Sequence, residues 1–177
     1  MKLECSSKGD KRFSAFYAFV EFDGKYDSIE HHYQNCKRNS KHQPCQKGEY
    51  VSYIVVCGQK LPASDLTPFY RYLWYSYLRQ NPSLVDYASQ FNTFTDMFRG
   101  KSINCQADCV KAYVNRNQAF YRPILDFCKK LDIHIKKDLE ILKCKNELEI
   151  ALSATILCHF IRFYKTGNSL IFLDFIL

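Results

Sequence analysis

Polar and apolar positions fall into a helical pattern between residues 28 and 38. Glu30, Gln34 and Lys37 stand at i, i+4 and i+7, and Ile29, Tyr33 and Cys36 repeat about a quarter-turn away. This spacing predicts a helix opening at Ser28, with an apolar anchor beside a carboxylate–amide–ammonium stripe. The same stripe also suits a surface helix carrying an ordinary charge pair. Upstream, residues 1–12 are polar and basic, whereas residues 13–22 are rich in rings. The latter predict an extended or irregular segment that carries Phe13, Phe16 or Tyr17 inward, with Asp23-Gly24 as the turn into the helix. Residues 39–48 predict an exposed loop. Residues 49–57, β-branched and aromatic between Gly48 and Gly58, are the best strand.

Further along, helical signals dominate. Residues 61–65 read as a linker, and Thr67-Pro68 as a cap followed by proline at the first helical position. That helix runs to about Gln80, with Phe69, Leu73, Trp74, Tyr77 and Leu78 as its apolar ring. Asn81-Pro82 repeats the signal for a short helix to about Gln90. Residues 91–101 read as loop. Ile103, Ala107, Val110 and Val114 predict a helix from Ser102 to about Asn115. A lysine-rich amphipathic helix is expected over residues 123–145, then an apolar one from Asn146 to about Lys165 and a short apolar tail. The fold class expected is α+β, a predominantly helical single domain with a small β element.

Composition narrows the chemistry. The chain has 177 residues, enough for one domain with a real core, and its thirteen Tyr and fourteen Phe suit ring packing or stacking on planar ligands. A net charge of +7 favours polyanions such as nucleic acid or phosphorylated ligands. Nine cysteines, an odd number without a Cys-x-x-Cys, predict reduced thiols. With no signal-peptide pattern and no apolar run of about 18 residues, a cytoplasmic protein without a membrane partner is expected.

Metal binding is not expected. His31, His32, Cys36, His42 and Cys45 are loosely spaced, and Cys105 with Cys109 lacks further ligands. No phosphate-cradling glycine motif occurs, and no cofactor is called for. The carboxylates say more. Glu30 lies in the first turn of its helix, and Asp96 in a segment with Phe91, Phe94 and Phe98, just before Arg99, Lys101 and Asn104. Two carboxylates on separate segments beside rings suit glycosidic chemistry, in which a carboxylate stabilises an oxocarbenium ion and orients water.

The order Phe13-Ser14-Ala15-Phe16-Tyr17-Ala18, then Asp23-Gly24-Lys25, then Glu30-His31-His32-Tyr33-Gln34-Asn35-Cys36-Lys37 resembles the opening signature of the NADAR superfamily. That signature reads roughly F-S-N-F, D-G, E-H-Y-F-Q-A-x-K. Leu84-Val85-Asp86, Phe94-Thr95-Asp96 and Gly100 to Asn104 resemble its second half, L-V-E, W-G-D-G and G-x-N-x-L-G. The resemblance covers about residues 13–115. Three departures are plain: Ala15 replaces the first motif's asparagine, Phe94-Thr95 the tryptophan and glycine, and Cys105-Gln106-Ala107 the stretch with Leu-Gly.

The resemblance implies a NADAR-like catalytic or ligand-binding domain over residues 1–118, and residues 119–177, which it does not cover, read as a C-terminal helical extension packing on it. Members are mostly helical α+β N-glycosidases, acting on phosphoribosylamino intermediates of riboflavin synthesis or on ADP-ribose attached to guanine in DNA. Relatives occur in phage and bacterial conflict systems. Carried over, Glu30 and Asp96 would be catalytic, and Phe16, His31, Gln34, Lys37, Arg99 and Asn104 would bind substrate. Lys37, Arg12 or Arg99 would hold phosphate. The basic charge favours an ADP-ribosylated nucleic acid or an ADP-ribose-like ligand. The competing expectation is a non-catalytic nucleotide-binding or interaction module using the same pocket.

Overall fold

Two tight turns shape much of the β structure. The computed structural model describes residues 1–97 and 104–133. In chain order they form β1 (Lys2–Glu4), β2 (Phe19–Phe22), β3 (Lys25–Ser28), α1 (Ile29–Asn35), β4 (Lys37–Arg38), β5 (Tyr53–Val56) and β6 (Gln59–Pro62). There follow α2 (Leu66–Gln80), α3 (Pro82–Ser89), β7 (Thr93–Thr95), α4 (Gln106–Val114) and α5 (Gln118–Lys130). The β2–β3 hairpin turns at Asp23-Gly24, with φ of 52° and 71°, and β5–β6 at Cys57-Gly58, with φ of 49° and 71°. Two successive left-handed residues are what a hairpin turn matched to strand twist requires, which is why a glycine stands second in each.

β4, β5 and β6 form one antiparallel sheet in that order, β2 pairs with β3, and β1 runs parallel to β7. In the β1–β7 pair Leu3 lies opposite Phe94, and both are buried. The pattern along the chain had called for one strand. The others, of two to four residues, are too short to display alternation. The fold is a mixture of helix and strand.

α2 is the axis of the core. Phe69, Leu73, Trp74, Tyr77 and Leu78 are buried as expected, and so are Tyr70 and Tyr75, so the helix is covered on most sides. It packs against α1, α4 and α5 and against β2. Residues 63–65, expected in a linker, form a short 3-10 turn in which the buried Asp65 receives the ammonium of Lys130 at 2.7 and 2.9 Å. That ion pair ties the entrance of α2 to the end of α5.

α4 and α5 depart from their expected limits. Cys105 is extended, so α4 opens at Gln106, and the expected start at Ser102 lies outside the described residues. α5 opens five residues before Pro123, where the side chain of Asn117 accepts the Ala119 N–H at 2.9 Å. Pro123 has no N–H for the Ala119 carbonyl, and the Arg71 guanidinium donates to that carbonyl at 3.3 Å.

The helix ends at Lys130 rather than near Lys145. Asp132 turns left-handed with φ 52°, and the N–H groups of Ile133 and Asp132 close on Cys128 O and Lys129 O at 2.9 and 3.3 Å, a Schellman motif. The chain divides into two units, Met1–His134 and Ile135–Leu177, and the described residues lie in the first. The helix expected from Asn146 and the apolar tail lie outside them. Among the described residues no helix is long and apolar enough to cross a membrane.

Candidate functional site

The aromatic segment before β2 clamps the start of α1. A helix begins with N–H groups that have no partner inside it. Here Ile29 N–H donates to Ala18 O and Glu30 N–H to Ala15 O, each at 2.9 Å, and Ser28 Oγ caps the His31 N–H at 3.1 Å. Ser28, where the sequence pattern opens the helix, is thus its N-cap. The clamp fixes Glu30 relative to residues 15–18, and Ile29 beneath it is fully buried.

From there the stripe closes into a relay. The Gln34 amide donates to Glu30 Oε1 at 2.6 Å, and the Lys37 ammonium donates to Gln34 Oε1 at 2.8 Å. Each member orients the next: the ammonium fixes which end of the Gln34 amide is oxygen, so the other end must donate to the carboxylate. Lys37 lies in β4, half-buried, with its nitrogen 3.7 Å from the centroid of Tyr33. Burial pulls its ammonium below the usual lysine value, while Cys36 and Glu30 oppose that shift. Tyr33 packs edge-on against Tyr70, ring centroids 5.0 Å apart, and accepts a hydrogen bond from the Asn104 amide at 2.9 Å. Burial raises the Tyr33 phenol.

Asp96 follows β7 and is 8% exposed, with the Cys105 thiol donating to its Oδ2 at 3.8 Å. Glu30 and Asp96 share a neighbour. The buried Tyr70 phenol is held well above its usual range by burial first and by Cys109 next, with Glu30 and Asp96 both adding. Glu30, Gln34 and Lys37 are linked in series, Lys37 and Asn104 both reach Tyr33, and Asp96 touches Cys105, the residue after Asn104. Neither tyrosine was singled out from sequence as a site residue. Tyr33 sits on the apolar stripe of α1 and Tyr70 in the ring-rich run of α2, where a core role reads the same as a site role.

His31 is turned to Asp27, and its hydrogen bond to that carboxylate holds the carboxyl below the usual range. Phe16 is 52% exposed and Tyr17 is also half in solvent, so of the three rings offered for the interior it is Phe13 that the segment carries inward. Arg12 is committed to Asp10 at 2.9 and 2.7 Å and lies over the ring of Tyr87. Arg99 lies outside the described residues.

A thiol nucleophile finds no support among the buried cysteines. Burial pushes Cys36 up to about 12 and Cys105 up to about 11, and raises Cys5 and Cys109 further. No group of three or more His, Cys, Asp or Glu among the described residues could hold a metal ion.

The profile of the family described as DarT1-associated NADAR antitoxin matches residues 19–124, more than half of the chain. The chain belongs to that family. The matched region runs from β2 into α5, so it contains the whole relay, Asp96 and Asn104; it begins after the Phe13–Ala18 motif and ends beyond residue 115. A comparison with curated proteins finds no match.

Two departures from the NADAR signature meet in this structure. Gln106, 4% exposed, accepts the N–H of Ala15 at 2.8 Å and donates to the Cys5 carbonyl. The residue that follows the family's asparagine segment thereby holds the loop whose carbonyl receives Glu30. The signal for Gln106 was a polar side chain on the inward stripe of α4, beside Ala107 and Val110.

Proposed function

We propose that this NADAR chain is an N-glycosidase that removes ADP-ribose from a modified base. As an antitoxin it would reverse a nucleic-acid modification made by a DarT1-type partner. The observation that carries this reading is the Glu30–Gln34–Lys37 relay, a carboxylate oriented through an amide by a half-buried ammonium inside the region that matches the family. In the reaction the ribosyl carbon–nitrogen bond breaks with charge developing on the ribose, the base leaves with the bonding pair and takes up a proton, and water adds to the ribosyl carbon. Glu30 would stabilise the oxocarbenium ion and orient that water, with Asp96 as the second carboxylate. Gln34 and Lys37 would hold the Glu30 carboxylate in place.

Incubation with an oligonucleotide ADP-ribosylated on guanine should release free ADP-ribose, followed by chromatography. Glu30→Gln keeps the shape and removes the charge, and should lower the rate by roughly 10²–10⁴-fold. Full activity in that variant would remove Glu30 from the mechanism.

A second reading, a non-catalytic nucleotide binder, draws on one observation. Where the family carries tryptophan, Phe94 is buried in β7 opposite Leu3, 5% exposed. Calorimetry with ADP-ribose that gives tight binding, with the modified oligonucleotide recovered intact, would favour the binder.

A further inference from the structure

A cavity of about 340 Å³ lies among α2, α4 and α5, within the size range of small-molecule sites. One wall is a single face of α4, on which Asp108 and Lys111 stand at i and i+3, continued at i+7 by the capping residue Asn115. Arg71 of α2 contributes a second cation, one of whose five N–H groups goes to Ala119 O. Asn104 also lines the cavity, and its amide reaches Tyr33 beside the Glu30 relay. Cys105, whose thiol contacts Asp96, lines the same end. The cavity therefore adjoins the candidate site through two consecutive residues.

Its chemistry is that of an anion site. Its lining carries a guanidinium and an ammonium against one carboxylate, together with Asn104 and Asn115. Phosphate oxygens take charge-assisted hydrogen bonds from Arg and Lys, the strong kind. We propose that this cavity is the diphosphate subsite of the same site. It takes the diphosphate of an ADP-ribosyl group whose ribose–base bond lies at Glu30. The inference rests on the N-glycosidase reading for the placement of the ribose, and on the cavity alone for the diphosphate.

The test uses the full chain, with ADP-ribose and inorganic diphosphate as calorimetric probes and the modified oligonucleotide as the cleavage substrate. Lys111 is exposed on α4, so Lys111→Glu should leave the fold intact, as circular dichroism would verify. Its affinity for both probes should fall by about tenfold or more, and Lys111→Arg should restore it. Ala112→Trp, which fills the cavity from the α4 side, should weaken both probes as well. Glu30→Gln should bind diphosphate like the wild type.

Wild-type affinity for both probes in Lys111→Glu and Ala112→Trp would overturn the subsite, and so would failure of the wild type to bind either probe. In both cases the cleavage assay still decides the N-glycosidase reading. Diphosphate binding that is lost in these variants, in a chain that cleaves nothing, would keep the subsite and remove the reading.

Discussion

Gln106 is the residue on which the geometry around Glu30 depends most. Its two hydrogen bonds go to backbone groups of separate segments, and the amide is buried with them. Gln106→Leu keeps the volume but leaves the Ala15 N–H and the Cys5 carbonyl without this partner. An unsatisfied buried group costs about 1–3 kcal/mol, so a loss of roughly 2–4 kcal/mol is expected from urea unfolding. A change below about 0.5 kcal/mol would mean that other donors take over. The Glu30–Gln34 half of the relay is legible because i, i+4 spacing fixes which side chains share a helix face, whereas the helix ends at Asn35 and Lys37 reaches Gln34 from β4. His31 read as a motif partner because it adjoins Glu30 in sequence, yet one step along a helix is about 100°, and that rotation turns it toward Asp27. Tyr33, Tyr70 and Gln106 depend on contacts between residues 37 to 101 apart in the chain, which no local pattern encodes.

At the scale of elements, most helix limits are legible and those of α5 are not: α2 ends at Gln80 and α4 within one residue of Asn115, whereas α5 opens five residues before Pro123. Ser28 gives a polar cap, and Asn81-Pro82 places proline at the first helical position of α3. α4 and α5 both close with Schellman motifs, but their left-handed residues are Arg116 and Asp132 instead of glycine. Without glycine the apolar period appeared to continue, and α5 was expected to run about fifteen residues too far. The short strands were missed because two to four residues carry no period, and β1 with β7 is joined across about 90 residues.

What holds α5 against α2 at its far end is the Asp65–Lys130 pair. Asp65 is 5% exposed, and Lys130→Met would leave its carboxylate buried without an ammonium. Removing one partner of a buried pair is the costly change, so about 2–4 kcal/mol of stability should be lost, less than for a fully buried pair because Lys130 is half-exposed. Asp65→Asn combined with Lys130→Met should recover much of that loss. A double variant no better than the sum of the singles would show that the two residues act independently.

Over the whole molecule, the way protons are held separates the folded chain from the unfolded one. Cys5, Cys36, Cys105, Cys109 and Cys128 are buried, and burial raises each above the ordinary thiol value of 9.0, Cys128 to about 12. Burial likewise lifts the phenols of Tyr70 and Tyr121 above 10.0. Above pH 9 the unfolded chain therefore releases thiol protons that the folded chain keeps. The folded state then binds more protons, so stability falls as pH rises, by up to about 1.4 kcal/mol per pH unit for each thiol. Asp10 acts on the opposite side. Arg12 lowers its carboxyl, so that contribution is present above 3.8 and is lost as pH falls below it, and it is small because the pair is partly exposed. Stability should accordingly be greatest at neutral pH and fall by several kcal/mol between about pH 9 and 11. Urea unfolding in reductant at pH 7, 9, 10 and 11 would measure this, the slope giving the difference in bound protons. Cys128→Ala should reduce that slope between pH 9 and 11 by about one proton, besides any cavity cost that shifts the curve uniformly. A stability that stays level to pH 11 would mean that the thiols and phenols reach solvent in the folded chain.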